Sequence, residues 1–293
     1  MQVAIHFGAH CTDDDRLLRT LLRNKDVLSR QGIAVPGPGR YRTILREAME
    51  KLQGEPASQE TRDILIDGII DDDSARRVVL THESFICVPT RVFDGGILYE
   101  KAGYKPMWLR NLFPGDEVEF FLAIRNPATF IPAVFHHKWQ KKDNFHKFLQ
   151  GTDVDEIRWS DVIVAIRESN PDTPLTVWCN EDTPLIWPEV LQRVSDHAPG
   201  TRIKGGLDIL AEIMKREGKS RLRKYLAENP PKSERQRRRI LAAFLEKYAI
   251  EEAVEEELDV PGWTDATVAE LTLNYERDLD EIAAIPGVTF IEP

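Results

Sequence analysis

The chain has 293 residues, of which 42% are hydrophobic and 30% charged, and its formal net charge is −10 at pH 7. This composition is typical of a globular protein with a sizeable core, and the negative charge argues against nucleic acid or an anionic membrane as a partner. No apolar run approaches the roughly 18 residues that a membrane-spanning helix needs. The amino terminus lacks a signal-peptide pattern, and three widely spaced cysteines are typical of reduced thiols, so we expect a cytoplasmic protein.

Strand-like and helical patterns alternate along most of the chain. Short apolar or β-branched runs predict strands, and leucines at helical spacing predict helices. Together they predict strand 3–7, helix 14–31, a short strand or extended segment 33–36, helices 40–52 and 58–71, strands 77–81 and 117–124, helix 127–139, and strands 175–179 and 288–291. Residues from about 203 to 285 form a helical part, with a turn at 228–232 and helix starts at Ser233 and Thr264.

This alternation predicts an α/β fold with a central parallel sheet and helices on both faces, formed as one domain over residues 1–293. The strands at 3–7, 78–81 and 120–124 should be parallel neighbours. We find no internal repeat.

The loop between the first strand and the first helix is the most informative segment. Such a loop commonly binds a phosphate on the free N–H groups of the helix that follows. It lacks the glycine–lysine pair of a nucleotide-triphosphatase loop, and its single glycine does not fit a dinucleotide-binding loop. Three consecutive carboxylates, Asp13, Asp14 and Asp15, stand where the anion would lie. We expect them in the first helical turn, with at least one carboxylate accepting from a backbone N–H.

Two short motifs carry a family resemblance. The string His-Phe-Gly-Ala-His-Cys-Thr at 6–12, with Gly-Ile-Ala-Val-Pro at 32–36, resembles the start of bacterial sulfotransferase-family proteins, and Ala-Ile-Arg-Asn-Pro at 123–127 resembles a second motif of theirs. The resemblance implies a fold similar to that of P-loop kinases and the nucleotide donor 3′-phosphoadenosine 5′-phosphosulfate (PAPS), or its desulfated product PAP. It implies that the nucleotide contacts Gly8, Ala9, His10, Cys11, Thr12, Arg125 and Asn126, with Arg125 on the 3′-phosphate.

The chain departs from the family pattern where the donor would bind. Cys11 stands in place of the family lysine, and Asp13, Asp14 and Asp15 replace Gly-Thr-Thr. Ala133 replaces a serine that also contacts the 3′-phosphate. A neutral thiol cannot stabilise charge on a leaving phosphate, and the added carboxylates repel it. The PAPS site is therefore degenerate by sequence.

Two functional hypotheses follow. If active, the protein transfers sulfuryl from PAPS to a hydroxyl of a small-molecule or glycan acceptor, with His82 or Glu83 as the base. The alternative is a non-catalytic binding or scaffold protein that retains the fold. In that case His82 and Glu83 are ordinary polar residues of a loop. A nucleotide kinase is weaker, because the loop has no lysine.

Other charged clusters predict no site. We expect no metal centre, since the histidines at 136, 137 and 146 lack ligand spacing and the acids at 71–73 fit a solvated helix end. The basic run at 235–239 is followed by an acidic stretch at 251–257, and the two together predict a solvated, internally paired helical region.

Overall fold

A computed structural model describes residues 1–72, 74–138, 144–250 and 258–293. Its described part contains one six-stranded sheet, in the order β2-β3-β1-β4-β5-β6, and each neighbouring pair of strands is parallel. The strands are β1 (Gln2–His6), β2 (Ile33–Ala34), β3 (Arg77–Thr81), β4 (Glu117–Ile124), β5 (Leu175–Cys179) and β6 (Val288–Ile291). The prediction of an α/β fold with a parallel sheet is confirmed, and so is the adjacency of β3, β1 and β4.

Helices pack against both faces of the sheet. Val3 and Ile5 of β1 belong to one apolar cluster, whereas Ala4 between them belongs to another on the opposite face. The helices are α1 (Arg16–Leu22), α2 (Lys25–Ser29), α3 (Arg42–Leu52), α4 (Gln59–Ile69), α5 (Lys105–Arg110), α6 (Pro127–Lys138), α7 (Phe145–Leu149), α8 (Trp159–Ser169), α9 (Thr183–Ser195), α10 (Asp208–Glu212), α11 (Arg216–Glu228), α12 (Glu234–Tyr248) and α13 (Asp265–Ala284). None of the helices in the described ranges combines the length and apolarity needed to cross a bilayer.

The predicted helix at 14–31 is wrong as a single element. It begins later, because Asp14 and Asp15 have positive φ angles of 48° and 60°, and it divides at Asn24. The Asn24 side chain donates to the carbonyl oxygens of Thr20 (2.8 Å) and Lys204 (2.9 Å), and accepts from the Lys204 N–H (2.8 Å). These bonds hold Asn24 against the segment before α10, so α1 and α2 form as two short helices.

The remaining predictions differ from the structure chiefly at the ends of elements. Strands β3 to β6 have the predicted bounds, whereas β1 lies one residue earlier and β2 has two residues. Residues 73, 139 and 251–257, on which parts of three predictions fall, lie outside the described residues. The starts of α12 and α13 are confirmed, since the Ser233 and Thr264 hydroxyls accept from the N–H groups of Gln236 and Thr267, both at 3.2 Å.

Candidate functional site

The carboxyl ends of β1, β3 and β4 lie side by side and bring the sequence-predicted site residues to one edge of the sheet. In parallel sheets this is the edge where ligand sites form. The loop after β1 supplies Gly8, Ala9, His10, Cys11 and Thr12, β3 is followed by His82 and Glu83, and β4 is followed by Arg125 and Asn126.

The backbone of the loop is tightly turned, and several of its donors are used within the protein. Gly8 has φ 53°, and a β-carbon there would lie 3.2 Å from His6 Cε1. The Ala9 N–H donates to the Ala123 carbonyl at 3.0 Å, and the His10 N–H donates to the Tyr99 hydroxyl at 2.9 Å. These two N–H groups are therefore not directed at a ligand.

The two histidines of the loop motif belong to the core. His6 and His10 are 1% and 0% exposed. His6 Nδ1 lies 2.8 Å from Thr81 Oγ1, and His10 Nδ1 lies 2.7 Å from the Tyr99 hydroxyl. Burial lowers the pKa of each to about 3, so both are neutral at pH 7. Through these contacts the two histidines hold the loop against Thr81 and Tyr99.

Arg125 is bound to the loop itself. Its Nη1 donates to the Cys11 carbonyl at 2.7 Å, and its Nε donates to Thr129 Oγ1 at 3.0 Å. Hydrogen bonds from a guanidinium to neutral oxygens are stronger than neutral ones and fix its plane. Arg125 therefore joins the end of β4 to the centre of the loop.

A second arginine at this edge, Arg42, was not singled out from the sequence. It comes from the first turn of α3 and forms an ion pair with Asp15, in which Nη1 lies 3.2 Å from Oδ2. Its Nη2 also donates to the Thr81 carbonyl at 3.0 Å. No local pattern marks this pair, because the two residues are 27 positions apart and their contact depends on how α3 packs.

Asp13 accepts at the start of α1, as expected for one of the three carboxylates. Its Oδ1 accepts from the Leu17 N–H at 2.8 Å. The predicted placement within the first helical turn is wrong, since all three aspartates precede Arg16, the first residue of α1. The pKa of Asp13 is raised to about 7, chiefly by burial and also by the neighbouring charges of Asp15 and Asp14, against the lowering effect of the Leu17 hydrogen bond.

Glu83 lies close enough to Cys11 for each residue to affect the pKa of the other. Burial raises the pKa of the half-buried Glu83, and the nearby Cys11 N–H opposes that rise. Burial and the nearby Glu83 raise the pKa of the Cys11 thiol to about 12, so it stays neutral at pH 7. Burial, followed by the charge of Arg42, lowers the pKa of His82 to about 4. The Glu83 carboxylate thus lies near the Cys11 N–H of the loop.

Asn126 ties the edge of the sheet to α13. Its side chain donates to Thr272 Oγ1 at 2.9 Å and accepts from the Ala128 N–H at 2.9 Å. Its own N–H donates to Glu181 Oε1 at 2.8 Å, and the Tyr275 hydroxyl donates to Glu181 Oε2 at 3.3 Å. Glu181 and Tyr275 were not predicted at this edge.

Arg42, Arg125 and Asp13 are thus bonded to other groups of the protein at this edge. Among the described residues, no group of three or more histidine, cysteine, aspartate or glutamate side chains is arranged to hold a metal ion. Comparison of the chain with models of protein families, with curated proteins and with solved structures gave no match.

Proposed function

We propose that the chain is a sulfotransferase-like protein with a P-loop-type fold whose nucleotide loop is closed by its own side chains. It acts as a non-catalytic binding protein and does not transfer sulfuryl from PAPS. The observation that carries this proposal is the 2.7 Å hydrogen bond from Arg125 to the Cys11 carbonyl. The guanidinium that the family resemblance assigns to the 3′-phosphate is engaged by the loop.

The charges around the loop support the same conclusion. Asp13, Asp14, Asp15 and Glu83 lie at this edge together with the guanidinium groups of Arg42 and Arg125. A carboxylate about 5 Å from a phosphate charge costs on the order of 3 kcal/mol at an effective dielectric of 20. Solvent reduces that figure, but the ion pair with Asp15 already neutralises Arg42. A nucleotide with two phosphate groups would gain little electrostatic attraction from this edge. To bind, it would also have to break the bond from Arg125 to the Cys11 carbonyl and the ion pair between Arg42 and Asp15.

The test is a calorimetric titration with PAP that compares the native chain with a rebuilt loop. The rebuilt chain carries Cys11→Lys, Asp14→Gly, Asp15→Asn and Glu83→Gln. Glycine and asparagine suit the left-handed backbone at positions 14 and 15, where a β-branched threonine would be strained. We expect no binding by the native chain and a gain of more than about a hundredfold in affinity for the rebuilt loop.

A charge-matched control separates a specific site from general attraction. Glu47→Lys, Glu60→Gln and Asp67→Asn change the net charge by the same amount on exposed positions of α3 and α4. This control should not bind PAP. If the rebuilt loop and the control bind PAP equally, the attraction is general and the P-loop interpretation is wrong. If neither binds, the bond from Arg125 to the carbonyl of residue 11, which the rebuilt loop retains, is enough to keep the site closed. If the native chain binds PAP at micromolar concentration, the protein is a sulfotransferase with an unusual loop, and His82 and Glu83 become the bases to test.

A further inference from the structure

Positive charge is concentrated in one helical hairpin of this acidic protein. Residues 215–248 contain 12 lysines and arginines but four glutamates, a net charge of +8 in a chain whose total is −10. The rest of the chain therefore carries −18. This segment comprises α11, the turn after it, and α12. Such segregation creates a local positive field along the hairpin. The predicted pairing of its basic run with the acidic stretch 251–257 falls on residues outside the described ranges.

The hairpin lies outside α9, at the surface of the molecule. α12 packs on α9, and α11 packs mainly on α12. The helices run antiparallel and approach closely where Gly218 faces Tyr248: a β-carbon on Gly218 would clash with the Tyr248 side chain. Within 215–248, all of which the structure describes, the buried residues are Gly218, Leu222 and Leu241. This hairpin contributes little to the core.

An open groove of about 550 Å³ runs between the two helices. Tyr225, Phe244 and Tyr248 give it an aromatic lining, in which the ring centroids of Phe244 lie 5.7 Å from Tyr225 and 6.1 Å from Tyr248. Tyr225 is 41% exposed, and the other two rings are half-buried. The three rings are contiguous, with Tyr225 exposed and the other two partly open to solvent, and a contiguous apolar surface is a better sign of an interaction site than isolated apolar residues are.

Cations border the aromatic groove. Arg221 and Lys224 of α11 and Lys247 of α12 line it, with Glu228 as the acid at its end. Arg221 and Lys224 pair with acids of their own helix, at 2.7 Å and 3.9 Å. Exposed pairs of that kind contribute little and exchange readily for another carboxylate.

We propose that this groove binds an acidic amphipathic helix of a partner protein, which lies along the hairpin as a third helix. A groove between two antiparallel helices is the position that a further helix occupies in a bundle. The apolar side of the incoming helix would cover Tyr225 and Phe244, and its glutamates would meet Arg221, Lys224 and Lys247. This surface is separate from the loop after β1 and does not depend on the proposed function.

The charge distribution favours a short acidic segment over a long polyanion. Charges attract or repel across a Debye length of about 8 Å at physiological salt. A helix confined to the hairpin meets the +8 segment, whereas a nucleic-acid strand extending beyond it would meet a body that carries −18. A short partner therefore gains the attraction without the repulsion.

Fluorescence anisotropy with a labelled synthetic peptide tests the proposal. The peptide is an amphipathic helix of leucine and alanine on one side and glutamate on the other, and its comparison peptide has glutamine in place of glutamate. We expect a dissociation constant on the order of 10 μM for the acidic peptide and about tenfold weaker binding for the glutamine peptide. Absence of binding by the acidic peptide at about ten times that concentration would overturn the proposal.

Two charge-reversal variants locate the binding surface. Arg221→Glu with Lys224→Glu changes the groove, and we expect at least about a tenfold loss of affinity. Arg223→Glu with Lys232→Glu changes the same residue types by the same charge at exposed positions outside the groove, and should change affinity less than about threefold. If the groove variant loses helicity by circular dichroism, the affinity is measured instead with Arg221→Gln and Lys224→Gln. Equal losses in the two variants would show general charge attraction and would refute the groove.

Two further probes test the occupant. A labelled oligothymidylate and vesicles containing phosphatidylserine represent single-stranded nucleic acid and an anionic membrane. We expect both to bind at least about tenfold more weakly than the peptide. If either binds more tightly and depends on Arg221 and Lys224, the groove is real but the proposed helical partner is wrong.

Discussion

Replacement of Asp13 by asparagine should stabilise the protein at high pH and leave it unchanged at low pH. The carboxylate accepts from the Leu17 N–H, and asparagine retains an oxygen that can accept the same bond. The pKa of Asp13 is raised from 3.8 to about 7, so the folded protein favours the neutral acid. The stability that this group provides is fully present below about pH 4 and is lost as the pH rises through 7.

The size of the effect follows from the pKa shift. Each pKa unit corresponds to about 1.4 kcal/mol, so a shift from 3.8 to about 7 sets an upper bound of about 4 kcal/mol. Because the Asp13 side chain is half-buried and solvent screens part of its charge, we expect on the order of 2 kcal/mol. Urea unfolding followed by circular dichroism from about pH 4 to pH 8 measures it.

The exposed neighbour Asp14 provides the control. Asp14→Asn should change the free energy of unfolding by no more than about 0.5 kcal/mol at any pH in that range. The advantage of Asp13→Asn should grow between about pH 4 and pH 7 and then level off. A pH-independent difference between Asp13→Asn and the native chain, or a less stable variant at pH 8, would refute the reasoning.

Two further substitutions test the contacts that hold the sheet edge. Arg125→Met removes the bond to the Cys11 carbonyl while keeping an apolar side chain of similar length. It should lower the free energy of unfolding, measured in urea, by about 1–2 kcal/mol. Unchanged stability would contradict the view that Arg125 fixes the loop. Asp278→Ala leaves the N–H groups of Trp159 and Ser160 without their acceptor at the start of α8, and should cost about 1–3 kcal/mol, whereas Asp278→Asn should cost less because its amide oxygen can still accept.

The sheet was accessible from the sequence because its signals are local. The β-branched run at 77–81 and the apolar run at 120–124 are buried as strands β3 and β4, and alternation with helices was enough to predict their parallel pairing with β1. A buried strand in such a sheet is apolar on both sides, so the residues themselves mark it.

The details of the loop were not accessible, because they depend on contacts between distant residues. Asp14 and Asp15 were expected to be helical from the acid preference of helix starts, yet their backbone is left-handed. Arg42 reaches Asp15 from α3, and Asn24 divides the first helix by bonding to the segment before α10. No sequence spacing identifies Arg42 as the partner of Asp15 or Lys204 as the partner of Asn24. Tertiary contacts therefore override helix propensity in this segment.

The most direct test of the central claim is a titration of the unmodified chain with PAP in an isothermal calorimeter. The bond from Arg125 to the Cys11 carbonyl, the carboxylate of Glu83 beside the Cys11 N–H and the neutral Cys11 thiol predict no binding heat at micromolar nucleotide. A saturating isotherm with a dissociation constant in the micromolar range or below would contradict the account, because the loop would then have to open and accept the phosphates despite its own carboxylates.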